Sequence, residues 1–348
     1  MWLVGVRDLQ YRRRRFLIAV IATSVVFSMT VLMSGLSNGL DDEVDRIVAS
    51  FHADSWVVAR GASGPFTANR FLTESDVESV RNASGVRAAA PMLVARATIG
   101  RDSLKDVNLL GYQPGEVGAP VITEGRVAKR AGEVVVDSHL DAGVGDTLDV
   151  SGRAQRVVGV TDDLRYNFGV NTVFMPLAAA QELAFSGQPL ASAVVVRGRP
   201  TAAPQGLKVL TNDDVASDLR RPAKSGKSTI DIVSYLLWIV AAGIIASIVY
   251  LTALERTRDY AVLKATGTSN TTLFGALLLQ SIALSLAAAV VAVGLALLLA
   301  PLFPFRMAID ASSYVLLAVL AIVVGTLASV AGLRRAVGVD PALAFGGA

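Results

Sequence analysis

Four stretches of this chain, 16–36, 232–254, 273–300 and 311–333, each run for 21 residues or more without a charged side chain. As helices, rising ~1.5 Å per residue, all four reach the ~30 Å of a bilayer's hydrocarbon core. The 232–254 run would span about 34 Å on that rise. Twelve of its residues are Leu, Ile or Val, worth roughly −4 to −7 kcal/mol of insertion. With 53% hydrophobic residues and a mean hydropathy of +0.52, the chain is too apolar for an ordinary soluble domain. The expected fold is an α-helical membrane protein. It has four transmembrane helices plus an α+β extracytoplasmic domain inserted between the first and second.

Just before the second run stands Gly226-Lys227-Ser228-Thr229, the end of a phosphate-binding G-x-x-x-x-G-K-[ST] loop. The glycine required at 221 is Arg221, and residues 212–222 are polar rather than strand-like. The tetrapeptide therefore reads as a helix start, with Ser228 and Asp231 as a capping box. Any ATP chemistry must then lie in another chain.

Cysteine is absent, which excludes disulfides, thiolate metal sites and cysteine catalysis. The net charge is +3, yet region 37–231 holds 21 Lys+Arg against 24 Asp+Glu. The basic excess lies beside the apolar runs, which points to lipid and not to nucleic acid. Flanks on the side of the termini carry ten basic residues: Arg7, Arg12 to Arg15, Arg256, Arg258, Lys264, Arg334 and Arg335. The opposite flanks carry six, so both termini are expected in the cytoplasm of a bacterial inner membrane. The first run exceeds a signal peptide's usual ~7–15 apolar residues and lacks an Ala-x-Ala site, so it reads as an uncleaved anchor. Trp2, Leu3, Val6 and Leu9 share a helical face opposite Arg7, suggesting an interfacial helix over 1–15.

The expected order is this N-terminal helix (1–15), a span (16–36), the extracytoplasmic domain (37–230) and a span (231–254). A cytoplasmic coupling segment (255–271), a span (272–300), a short outer loop (301–312), a span (313–333) and a cytoplasmic tail (334–348) follow. Inside the domain, Thr73 caps a helix with Val77 and Val80 inward and Gly85 as its stop. A second helix is expected over 176–183, ended by Gly187, and Ser151-Gly152 marks a hairpin turn. His139 between Asp137 and Asp141 lacks a third ligand and a nucleophile, and reads as a surface turn. The runs contain no Asp, Glu, Lys, Arg or His, so they offer none of the mid-membrane ligands that ion-coupled carriers use. Gly243 and Ser247, four apart, are a candidate helix contact or ordinary membrane composition.

The sharpest signal follows the second run: LTALERTRDYAVLKATG, then TSNTT. A helix continues through 255–265, Gly267 offers a left-handed stop, and Ser269 caps the next helix. This segment resembles the link between the second and third spans of the FtsX/MacB-type ABC transporter permease family, nearest its DevC-like branch. Glu255, Arg256, Asp259, Tyr260, Ala261, Leu263, Lys264, Ala265 and Gly267 match the E-R-x-x-E-x-A/G-x-L-(K/R)-A-x-G pattern in order, with Asp259 for the usual Glu. TSNTT stands where many members have basic residues. Residues 121–160 are similar to the MacB-like periplasmic core domain, through E-G-R, E-V-V-V-D, G-D-T-L and V-V-G-V. Arg334-Arg335 and VDPALAF match the family's tail.

The resemblance implies a non-catalytic permease subunit that couples ATP hydrolysis in a partner to movement of its outside domain, called mechanotransmission, in export or extraction of a substrate. It implies two copies of a separate ABC ATPase, which holds the ATP and Mg, and a second copy of the permease, forming a homodimer. No cofactor or metal is implied in this chain. Glu255, Arg256, Asp259, Tyr260, Val262, Leu263, Lys264 and Gly267 would face the ATPase. The alternatives are an FtsX-like regulator of a cell-wall hydrolase and a membrane-anchored sensor with no ATPase.

Overall fold

The computed structural model describes residues 13–100, 103–162, 164–165, 167, 169–255, 262, 266–267, 269–303 and 307–337. The expected N-terminal helix and most of the cytoplasmic tail lie outside these. Two compact units divide the chain, one of residues 1–39 and 227–348 and one of residues 40–226.

In the apolar unit, α1 begins at Arg13 and runs on to Ser50. Among the described residues, three helices are long and apolar enough to cross a membrane, Phe16–Ser50, Gly226–Leu251 and Leu277–Leu302, while the apolar helix Ala311–Leu327 is shorter. The last two belong to α5, Asn270–Leu299, followed by a 3-10 turn at Ala300–Leu302, and α6, Ala311–Val337. Helices α5 and α6 approach each other closely. A Cβ on Gly325 would stand 2.9 Å from Ser285 Oγ and 3.0 Å from both Ile282 Cα and Ser281 O. The serines need no outside partner, since Ser281 Oγ donates to Leu278 O and Ser285 Oγ to Ser281 O. Gly243 makes no such approach, because a Cβ there would touch nothing within 4 Å.

The mixed unit carries β1 (Ser55–Ala59), α2 (Glu74–Arg81), β2 (Val86–Ile99), β3 (Lys105–Tyr112), β4 (Glu124–Gly125), β5 (Glu133–Asp137) and β6 (Thr147–Val150). After them come β7 (Arg153–Thr161), β8 (Thr172–Pro176), α3 (Leu177–Phe185), β9 (Ala193–Gly198) and β10 (Leu207–Leu210). The strand order is β10-β1-β9-β2-β3-β8-β5-β7-β4, with β6 paired to β2 and β7. The long β2 is shared: residues 86–92 pair with β9 and 93–99 with β3. Successive β2 side chains point to opposite faces, so Met92 and Val94 join the core around Trp56 while Leu93 and Ala97 join the one around Val157.

Local signals hold where the chain obeys them. Thr73 and Asp76 form the capping box of α2, whose Val77 and Val80 are buried. Helix α2 ends at Arg81 with Asn82 as its cap, and Gly85, at φ +90, makes the turn into β2. Both Ser151 (φ 49) and Gly152 (φ 82) are left-handed, the mirror-image turn that matches strand twist between β6 and β7.

The start of the second apolar helix differs from expectation. Ser228 is not an N-cap, because α4 runs unbroken from Asn212 to Glu255 and places Gly226 to Thr229 in its interior. The capping box is Thr211 and Asp214: Thr211 N donates to Asp214 Oδ2 (2.9 Å), and Asp214 N donates to Thr211 Oγ1 (3.2 Å). The Thr211 N–H and the Thr211 hydroxyl, which donates to Asp214 Oδ2 at 2.9 Å, hold the Asp214 carboxyl below its usual range. Val215, Ala216 and Leu219 are buried, so the polar-looking segment is amphipathic. Arg220 reaches Asp41 (3.2 Å) and Asp45 (2.6 Å) on α1, which occupies one of the basic residues that run against the charge rule.

Candidate functional site

The link between α4 and α5 is built from a stop and a start. Glu255, the last described residue of α4, is exposed. Thr266 N donates to Val262 O at 3.0 Å, a helical i to i−4 bond, and Val262 is 47% exposed. Gly267 follows at φ +91 with open space where a Cβ would stand, a left-handed stop for which glycine is favoured. Ser269 then caps α5, its Oγ accepting from Thr272 N at 3.2 Å and lying 2.8 Å from Thr271 Oγ1. Ser269 thus satisfies one of the first amides of α5. Arg256, Asp259, Tyr260, Leu263 and Lys264 lie outside the described residues.

In the mixed unit the residues of the E-G-R and E-V-V-V-D patterns meet. Arg126 grips Glu133 with both nitrogens, Nη2 to Oε1 at 2.6 Å and Nη1 to Oε2 at 2.9 Å. The N–H groups of Lys129 (3.0 Å) and Arg130 (3.3 Å) also donate to Glu133. With the arginine as main cause, the Glu133 carboxyl is held down from 4.5 to about 2. A depressed folded value contributes stability above the ordinary value and loses it as pH falls through the folded one. Glu133→Gln is therefore expected to destabilise the chain at pH 7 by about 1 kcal/mol, solvent screening included. That gap should close as pH falls from 4.5 towards 2, read by urea unfolding in detergent across this range. A gap that stays constant with pH would remove the charge from the explanation. Beside this pair, Tyr112 Oη donates to Ala128 O at 2.8 Å, and burial pushes the phenol up to about 12.

His139 lies on a turn after β5, where its N and Nδ1 both meet Asp137 Oδ1, at 2.9 and 3.0 Å. Asp137 is fully buried and also accepts from Leu164 N at 2.6 Å, so it pins a loop. No cluster of three metal-ligating side chains occurs among the described residues.

A second buried carboxylate went unread in the sequence. Asp218, on α4, has no exposed surface; its Oδ2 accepts from Phe66 N (2.9 Å) and Thr67 N (3.2 Å), and its Oδ1 from Thr67 Oγ1. It ties the loop after β1 to the helix. The one hint was position: Val215, Asp218, Leu219 and Pro222 share a helical face at i, i+3, i+4 and i+7.

Comparison with known proteins covers both units. Residues 16–209 match the MacB-like periplasmic core domain, and residues 232–341 match the FtsX-like permease C-terminal. An uncharacterized ABC transporter permease of Mycobacterium tuberculosis (strain ATCC 25618 / H37Rv) is 42% identical over 348 residues, 100% of both chains. A putative hemin transport system permease protein of Staphylococcus epidermidis (strain ATCC 12228 / FDA PCI 1200) is 20% identical, covering 98% of both. The periplasmic region of MacB from Actinobacillus actinomycetemcomitans, a solved structure, is 13% identical with a TM-score of 0.36, over 47% of this chain and 91% of that one. With the two family domains matched in order over 16–209 and 232–341 and full-length likeness to named permeases, the chain belongs to the FtsX/MacB-type family of ABC transporter permeases.

Proposed function

We propose that this permease works with a separate ABC ATPase. ATP-driven movement of that partner is received at the α4–α5 link and passed to the mixed, extracytoplasmic domain. The observation that supports this most is the end of the link next to α5, where an exposed Val262 is followed by a left-handed Gly267 and a capped α5. A stop and a cap set this close together fix where α5 begins, which suits a segment that must pass a push to that helix. In this reading the apolar helices, with Ala311–Leu327 counted as the fourth, span the inner membrane with both termini inside. Two ATPase copies hold ATP and Mg, a second copy of this chain completes the complex, and the work is export or extraction of a substrate. The transport names of the relatives give the hydrolase-regulator alternative no support.

The test is a pull-down of the solubilised chain from its native membrane with ATPase activity assayed on the eluate. Wild type is expected to bring down an ATPase, and the double variant Tyr260→Ala/Lys264→Glu to lose about tenfold or more of it, as an interface anchor would. A wild-type chain that elutes alone and inactive under gentle conditions overturns the reading.

A further inference from the structure

Three neighbouring strands of the mixed unit change character together along one face. In register, Val94 pairs with Leu110 and Leu110 with Phe174; one step along, Arg96 pairs with Asn108 and Asn108 with Thr172. Directly opposed side chains share a face, so an apolar row gives way to a row of guanidinium, amide and hydroxyl. Asn108 is buried, its Nδ2 anchored on Val170 O at 2.9 Å. Thr172 is fully buried, and its Oγ1 has no hydrogen-bond partner among the described residues. Arg96 is exposed and forms no ion pair among the described residues.

Over this row lies a cleft of about 220 Å³, lined by Phe66, Val94, Arg96, Asn108, Leu219 and Pro222 among others. Its volume corresponds to about seven waters at ~30 Å³ each. One wall is apolar, and Arg96 is the charged residue of the lining. Asp218, on α4 next to the lining residue Leu219, already spends its oxygens on Phe66 N, Thr67 N and Thr67 Oγ1. The lining mixes apolar side chains with Thr67, Arg96, Asn108 and Asn167, and small-molecule sites likewise use a few convergent polar groups beside apolar surface.

We propose that this cleft binds an anionic amphiphile, its carboxylate on the Arg96 guanidinium and its alkyl body against Phe66, Val94, Leu219 and Pro222. Arginine suits a carboxylate because its fork can donate two parallel hydrogen bonds. A bare anion would leave the apolar wall wet, and a neutral alkyl group would leave the guanidinium unused. This site is separate from the ATPase-coupled reading: the chain could bind such a ligand with no ATPase present.

The test uses the full chain in lipid nanodiscs and a diazirine analogue of octanoate, with crosslinks mapped by mass spectrometry. Labelling is expected in the peptides holding residues 66–68 and 219–222. Octanoate should compete, whereas octyltrimethylammonium and acetate should not. Arg96→Gln, at an exposed position, should cut the labelling of these peptides about tenfold or more, the scale of one charged hydrogen-bonding partner. Val94→Trp, which fills the cleft and keeps the charge, should cut it as well. Labelling confined to the apolar helices, or indifferent to Arg96→Gln, overturns the proposal. Acetate competing as well as octanoate would make this a bare anion site and overturn the amphiphile.

Discussion

Asp218→Ala is expected to release the loop after β1 and to destabilise the mixed unit by about 3 kcal/mol. The side chain is wholly buried and accepts from two backbone N–H groups and one hydroxyl. Removing it strands those donors, at ~1–3 kcal/mol for each group left unsatisfied and less where water can enter. The carboxylate also packs so closely on Gly64 that no Cβ would fit there. Asp218→Asn keeps the shape but turns one acceptor into a donor facing an N–H, and should cost about half as much. The loop carries Phe66, whose ring lies 6.2 Å from that of Trp56 and 6.0 Å from that of Phe51. Its release should therefore be visible in Trp56 emission and in faster amide exchange over 60–70. If both substitutions leave exchange there unchanged, Asp218 does not hold the loop.

Gly325→Leu should be as damaging in the apolar unit, for a steric rather than a polar reason. Ile282 Cα and Ser281 O, both 3.0 Å from where a Cβ would stand, are helix backbone and cannot rotate away. Helices α5 and α6 would have to separate, forfeiting the close packing that drives association where lipid is as apolar as the side chains. Overpacking of this kind costs roughly 1–3 kcal/mol, and a branched four-carbon side chain belongs at the upper end. Gly325→Ala should be milder, because alanine's better helix propensity offsets part of the clash. Thermal unfolding in detergent ranks the three chains, and Gly243→Leu is the control, since nothing lies within 4 Å of a Cβ there. Equal losses at 243 and 325 would mean that the close approach is not what matters.

The contrast between positions 243 and 325 illustrates what a single sequence conceals. Both glycines sit in uncharged runs beside other small residues, and the spacing of Gly243 and Ser247 fits a contact or ordinary membrane composition equally well. The partner helix decides which glycine is needed, and partner geometry is not written in local spacing. By contrast, signals whose physics closes within a few residues could be read directly. Thr73 with Asp76, Ser151 with Gly152, and Gly267 with Ser269 need only their own backbone, and each makes the cap or turn its residue types favour.

Failure came where a local rule was satisfied by the wrong residues. Ser228 and Asp231 have the spacing of a capping box, and so do Thr211 and Asp214. Burial of Val215, Ala216 and Leu219 in the mixed core is what starts α4 at the earlier pair. Asp218 hid this amphipathic face, since a carboxylate at a core-facing position reads as polar surface until the donors from residues 66 and 67 are seen.

Sequence alone determined the membrane character, the mixed domain between the first two apolar runs and the family. Those follow from length without charge and from motifs that are contiguous in the chain. Tertiary structure alone decided that Asp218 and Asp137 are buried clasps, that Gly325 is the tight crossing, and that Arg96, Asn108 and Thr172 form one row beside a cleft. Each of these depends on partners many residues away, and the free energy of a buried polar group or a close approach is set by what stands opposite it.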